Sequence, residues 1–237
     1  MLLPYQSTTL TEMKENLTIK KLIEEARSFC ALESQYKNEE LYGVTDGKAV
    51  GTLIEHKFKK QLTDKYILQI GSSANGIDLP SKDIQTDIKV TSIKQPQSSC
   101  PFKEARQKIF GLGYNLLVFV YDKTDDTLTK TATLKFVSCS FVTKERTADY
   151  TITYRLREMI KDHANEGDII AYLNDKNMPA DEITITQLAK QIIITPPQQG
   201  YLTISNALQW RLQYQRIVDL RGKVRGITTI VHKKKKE

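Results

Sequence analysis

The order of hydrophobic patterns along this chain predicts an α/β fold, a central mixed β-sheet flanked by helices. Three observations carry the prediction. Residues 87–93 and 116–121 are apolar and β-branched runs of strand length, separated by a segment of helical composition, which is the order of a parallel crossover. Just ahead of them, residues 48–58 place Val50, Leu53, Ile54 and Phe58 on one face at helical spacing. From Tyr150 onward the pattern changes to successive amphipathic helices. A core of residues 1–149 followed by a mainly helical part, residues 150–237, is therefore expected.

Taken in order, residues 9–32 set Leu17, Ile19, Leu22, Ile23 and Ala26 at helical spacing behind a Thr-rich start that can cap them, which reads as a packing helix. A loop over 38–47 leads to the helix of residues 48–58, with Glu55 bordering its apolar face. Residues 66–70 read as a short strand, and the Gly/Ser/Asn loop of 71–76 permits close backbone approach without the Gly-Lys-Ser/Thr of a nucleotide-binding loop. Residues 95–101, rich in Gln, Ser and Pro, read as a loop. The basic segment 102–110, with Lys103, Arg106 and Lys108, reads as a helix able to face a nucleic-acid backbone or solvent. The near-continuous apolar run 116–121 fits a strand covered on both faces. Residues 122–126 read as a polar turn, their aspartates lacking the glycine and terminal glutamate of a calcium loop, and 131–137 alternate as an edge strand does. Helices are expected over 154–163, 166–173, 181–192 and 204–220, and a last strand over 227–231.

The stretch 75–92 brings two carboxylates and a lysine together. A period of two puts Asp87, Lys89 and Thr91 on one face of the strand and Ile88 and Val90 on the other. Asp83 would lie roughly 13 Å from Asp87 along an extended chain at about 3.3 Å per residue, too far to share an ion. Asp78 precedes a turn-rich Pro80-Ser81-Lys82-Asp83 run that can return it to residue 87, so Asp78 is the better partner. Two carboxylates suit a hard divalent ion such as Mg2+, leaving coordination positions for phosphate and water, and Lys89 can steady the charge that develops on a reacting phosphate. The pattern points to metal-dependent phosphodiester hydrolysis. A salt-bridged surface hairpin would carry the same Asp-x-Lys triplet.

Composition narrows the classes. Lys and Arg number 35 against 28 Asp and Glu, a formal charge of +7 with a pI near 9.1, which favours a polyanionic partner such as DNA. Lys233, Lys234, Lys235 and Lys236 supply four of those cations. Cys30, Cys100 and Cys139 match neither a disulfide framework nor a zinc spacing, and three histidines leave little for histidine-based metal chemistry. No apolar run approaches the ~18 residues of a membrane span and the N-terminal residues do not read as a secretory signal, so a soluble cytoplasmic protein is expected.

A helix carrying Val50-Gly51-x-x-x-Glu55, then Asp78, then Asp87-x-Lys89 followed by Thr91, resembles the PD-(D/E)XK nucleases, and within them the MutH-type mismatch-repair and restriction endonucleases, over roughly residues 48–121. The resemblance implies a core triad of Asp78, Asp87 and Lys89, with Asp78 and Asp87 as the Mg2+ ligands and Glu55 as a supporting helix-borne acid. Asp78 departs from the pattern in being followed, not preceded, by proline, and eight residues separate it from Asp87. The expected function is Mg2+-dependent cleavage of double-stranded DNA at a short sequence, as by a type II restriction endonuclease. A repair nuclease of the MutH type and a non-catalytic DNA-binding regulator are the alternatives. In the expected helix over 204–220, Asn206, Gln209, Gln213 and Arg216 form one stripe whose side-chain types pair with adenine and guanine, as they would also serve a plain solvent face. Monomer and homodimer are both left open.

Overall fold

The computed structural model describes residues 14–71, 76–101, 103–205 and 209–232. The first residues of the expected N-terminal helix, most of the 71–76 loop, Asn206 and the tail lysines lie outside them. Along the chain come β1 (Glu15–Asn16), α1 (Ile19–Glu33), β2 (Lys37–Asn38), α2 (Gly47–Lys65), β3 (Tyr66–Ile67), β4 (Thr86–Ser92), β5 (Gln97–Pro101) and α3 (Arg106–Phe110). They are followed by β6 (Asn115–Asp126), β7 (Thr131–Val142), α4 (Tyr150–Lys161), α5 (Glu166–Asp175), α6 (Glu182–Ile194), β8 (Thr203–Ile204), β9 (Gln209–Gln213), α7 (Gln215–Val218) and β10 (Ile227–His232). Short polar side chains start the longer helices by accepting from orphan amides: Thr18 for α1, Asp46 for α2, Asp149 for α4, Asn165 for α5 and Asp181 for α6.

The main sheet runs β10-β7-β6-β4, with β2 also paired to β7. It is mixed, as expected, since β4 pairs parallel with β6 while β6, β7, β10 and β2 pair antiparallel. Strand β6 is covered on both faces. Leu117, Phe119 and Tyr121 meet α1 and α2, while Leu116, Val118 and Val120 meet a second, three-stranded sheet ordered β5-β9-β8. On the helical side an aromatic cluster fills the space, with Phe119 ring centroids 5.1 Å from Phe58 and 5.8 Å from Phe29. A third apolar cluster gathers α3, α4, α5 and α6. Buried Asp149 ties that cluster to the small sheet, since one carboxylate oxygen accepts from Ile152 N at the start of α4 and the other from Ile204 N in β8.

Several elements differ from the sequence reading. The helix expected over 204–220 is two short strands and the four-residue α7, because Trp210, Leu212 and Tyr214 are buried in alternation with exposed Arg211 and Gln213. A period of two there outweighs the helical stripe. Residues 95–101 contain β5, whose hydrogen bonds come from β9 more than a hundred residues away. The basic helix shrinks to Arg106–Phe110, and Lys108 is buried, donating to the Ser205 carbonyl at 3.3 Å. Residues 122–126 continue β6 as a charged overhang paired to β7, leaving only 127–130 for the turn. Strand β7 is internal, not an edge; its buried Ser138 and Ser140 look polar by composition yet lie under cover, and the path of the sheet ends on β4 at one side and β10 at the other. The strand expected over 66–70 is limited to Tyr66–Ile67. No helix among the described residues is long and apolar enough to cross a membrane.

Phe119 has the central place in the helical-side core and is fully buried. Phe119→Ala is expected to cost about 3–5 kcal/mol, read as a lowered urea midpoint with an unchanged slope.

Candidate active site

Strand β4 presents the expected faces. Ile88 and Val90 pack toward α2, leaving Asp87, Lys89 and Thr91 on the side of the small sheet. Asp87 is 5% exposed, and Lys89 Nζ donates to its Oδ2 at 2.8 Å. Buried Tyr214, between β9 and α7, lies near enough to influence Lys89, and its hydroxyl is 2.5 Å from Ser98 Oγ of β5.

Asp78 arrives by a tight return of the chain. Leu79 and Thr86 exchange both backbone hydrogen bonds, 2.9 and 3.0 Å, and within the return Ile84 N and Gln85 N both donate to the Ser81 carbonyl. Gln85 takes φ +36° to complete it. Asp78 is thereby set against Asp87, and its Oδ2 accepts from Ile88 N at 2.7 Å. Upstream, Gly71 N donates to the Asp78 carbonyl at 2.8 Å, and a Cβ on Gly71 would stand 1.9 Å from the Ile77 carbonyl oxygen. The close approach foreseen for this glycine is to its own chain. Asp83 sits exposed on the turn, apart from the pair.

Glu55 reaches the pair through an intermediary that the sequence reading missed. Lys59, one turn further along α2, donates to Glu55 Oε1 at 2.6 Å and to Asp78 Oδ1 at 2.5 Å. The signal was present as a Glu-x-x-x-Lys spacing, but on helices that spacing ordinarily marks a solvent-exposed pair. Here both groups are largely covered.

Burial raises Asp87, and Asp78 beside it raises it further; Lys89 offsets only part, so Asp87 titrates at about 7. Burial pushes Asp78 the same way, but hydrogen bonds from Asp87, Lys59 and the Ile88 amide outweigh it and hold Asp78 below the ordinary carboxylate range. The pair therefore shares a proton that resides on Asp87. Burial would lower Lys89, yet Asp87 chiefly keeps it above the usual lysine range, a permanent ammonium. Among the described residues no three His, Cys, Asp or Glu side chains converge, so a bound ion would be held by Asp78 and Asp87 with water or phosphate completing its shell. That donor set fits Mg2+. The arrangement can bind a hard cation beside a fixed ammonium, which is what phosphodiester hydrolysis needs.

The expected recognition stripe is not assembled. Gln209 and Gln213 belong to β9, Arg216 belongs to α7 with its guanidinium 4.0 Å from the Tyr150 ring centroid, and Asn206 is outside the described residues.

A mixed sheet whose edge strand carries Asp87 and Lys89, with Asp78 returned beside them, agrees with a type II restriction enzyme, a site-specific deoxyribonuclease, and the comparisons place the chain in that class. The family model described as type II restriction enzyme NspV matches residues 16–229, and the chain belongs to that family. Type II restriction enzyme NspV of Nostoc sp. (strain ATCC 29411 / PCC 7524) is 53% identical over 214 residues, covering 90% of this chain and 96% of that protein. No solved structure matches the chain. Of the three functions left open by the sequence, restriction cleavage stands, and the repair nuclease and the non-catalytic regulator are set aside.

Two variants probe how the carboxylates are positioned. Gly71→Ala must displace the loop that carries Asp78, and is expected to lower cleavage about 100-fold, measured by single-turnover assay; wild-type rates would mean the loop relaxes without moving Asp78. Lys59→Met leaves two covered carboxylates without their cation and is expected to destabilise the metal-free protein on the order of 3 kcal/mol in urea denaturation.

Proposed function

We propose that the chain hydrolyses double-stranded DNA at a short specific sequence with Mg2+, through a site of the PD-(D/E)XK type. The observation that carries this is the convergence of Asp78, across eight intervening residues, on Asp87 and Lys89 of the edge strand β4. Lys89 also lines an open cleft of about 760 Å³. Asp78 and Asp87 hold the ion, which when bound polarises the phosphate and neutralises its charge. Lys89, fixed by Asp87, donates to a non-bridging phosphate oxygen and to the attacking water. Its charge offsets the negative charge that builds as the water oxygen bonds to phosphorus and the bond to the departing strand breaks. Glu55 acts at one remove, keeping Lys59 directed at Asp78. Residues 150–237 supply the surface that recognises DNA, and the protein works in the cytoplasm.

Plasmid incubated with the purified protein and Mg2+ should yield discrete fragments with defined ends. Asp78→Asn and Asp87→Asn are expected to abolish Mg2+-dependent cleavage, and Lys89→Ala to lower the rate on the order of 10²–10³ with DNA affinity kept within a few-fold. Asp83→Asn should be neutral and Glu55→Gln intermediate. Wild-type turnover in Lys89→Ala would sink the assignment.

Because Mg2+ must displace the proton on Asp87, its affinity should rise with pH up to about 7 and level off above, where Asp87 is already ionised. Calorimetry in buffers of different ionisation enthalpy should show proton release per ion bound at pH 6 and almost none at pH 8.5.

A further inference from the structure

The small sheet offers a reading surface built onto the catalytic strand. The side chains of Trp210 and Leu212 in β9, and of Tyr214 just after it, pack on the back of β6, which turns Arg211 and Gln213 outward, and both are exposed. Strand register sets Ser99 of β5 opposite Arg211 and Gln97 opposite Gln213, so two adjacent strands carry a continuous polar face. Arg211 Nη1 donates to Ser99 Oγ at 2.8 Å, which fixes the direction of the guanidinium. Arg211, Ser99 and Gln97 line the same cleft as Lys89, with Lys94 also on its wall.

This face is held at a fixed distance from the chemistry. Thr91, two residues after Lys89, accepts from Gln97 N at 3.2 Å and donates to the Gln97 carbonyl at 3.0 Å, pinning the start of β5 to β4. The Ser98–Tyr214 hydroxyl contact pins the other strand beneath Lys89.

We infer that the paired strands β5 and β9 enter the major groove and that Arg211 and Gln213, assisted by Ser99 and Gln97, read base edges; this rests on the DNA-cleaving assignment of the Lys89 site. The major groove admits a two-stranded ribbon, here flanked beside Gln213 by the two-residue β8, and arginine and glutamine are the side chains that pair bidentately with guanine and adenine. Residues two apart on a strand stand about 6.7 Å apart, close to two base steps of about 3.4 Å. Arg211 and Gln213 thus address bases at different positions. Lys94, exposed at the cleft and lacking this strand geometry, serves the phosphates.

The test uses the full chain with Ca2+ in place of Mg2+, capturing duplexes from a library with a randomised central segment and sequencing what is retained. Wild type should enrich one short sequence. Arg211→Lys, which keeps the charge and loses the fork, and Gln213→Ala should each lose preference about tenfold or more at one or two base positions, while retention of random duplexes changes less than about threefold. Lys94→Ala should weaken retention of all duplexes alike and reduce the salt slope by about one, with the enriched sequence unchanged. Melting curves close to wild type accompany these surface variants. An unchanged profile in both Arg211→Lys and Gln213→Ala, an equal loss on every duplex, or a wild type that enriches nothing overturns the inference. Failure of the nuclease reading is separate, and would be seen as plasmid left uncut in Mg2+ by a wild type whose binding profile still responds to these variants.

Discussion

The ammonium of Lys59 and the amide of Ile88 hold the Asp78 carboxylate against Asp87, a place that two covered anions would not otherwise share. Each donor belongs to a different layer, so the contact requires α2 and β4 to be seated close together. Gly51, Glu55 and Lys59 fall at intervals of four on α2 and make one stripe. Gly51 marks how near the two elements lie, since a Cβ there would just reach van der Waals contact with the Val90 carbonyl oxygen of β4 at 3.4 Å. Behind the stripe, Val50, Ile54, Phe58 and Leu62 are fully buried and anchor the helix to the sheet. The hydrophobic layer thus sets the distance at which the charges meet.

The resulting network holds three carboxylates, Glu55, Asp78 and Asp87, and two ammoniums, Lys59 and Lys89. With every group ionised it carries a residual negative charge in a largely desolvated place, which is why Asp87 keeps its proton until the pH reaches about 7. On the function proposed above, a divalent cation replaces that proton and relieves the same imbalance. Low dielectric surroundings strengthen each of these interactions, and they also make any unpaired member costly. Lys59 and Lys89 are therefore not interchangeable. The first holds Asp78 in place, and the second faces the cleft.

Much of this was legible from local pattern. The alternation along 87–93 placed Asp87 and Lys89 on one face, and Pro80-Ser81-Lys82-Asp83 announced the return that brings Asp78 back. The unbroken apolar run of β6 announced cover on both sides. What escaped depends on distant partners. Strand β5 reads as a loop because Gln97, Ser98 and Ser99 gain their strand pairing only from β9. In 204–220 two periods compete over a short window, and Trp210, Leu212 and Tyr214 settle it by packing on Leu116, Val118 and Val120, far away in sequence. Lys59 went unremarked, since nothing local reveals that the chain returns over it at Asp78.

The link between β4 and β5 is only residues 93–96, and it is folded back on itself, with Gln95 N donating to the Ser92 carbonyl and Tyr214 N to the Pro96 carbonyl. On the reading proposed for β5 and β9, this short link works as a ruler. It sets how far the severed bond lies from the bases that select it. The Thr91–Gln97 hydrogen bonds and the packing of the small sheet on β6 hold that spacing from either side, so four residues that touch neither the ion nor the bases have to match it in length.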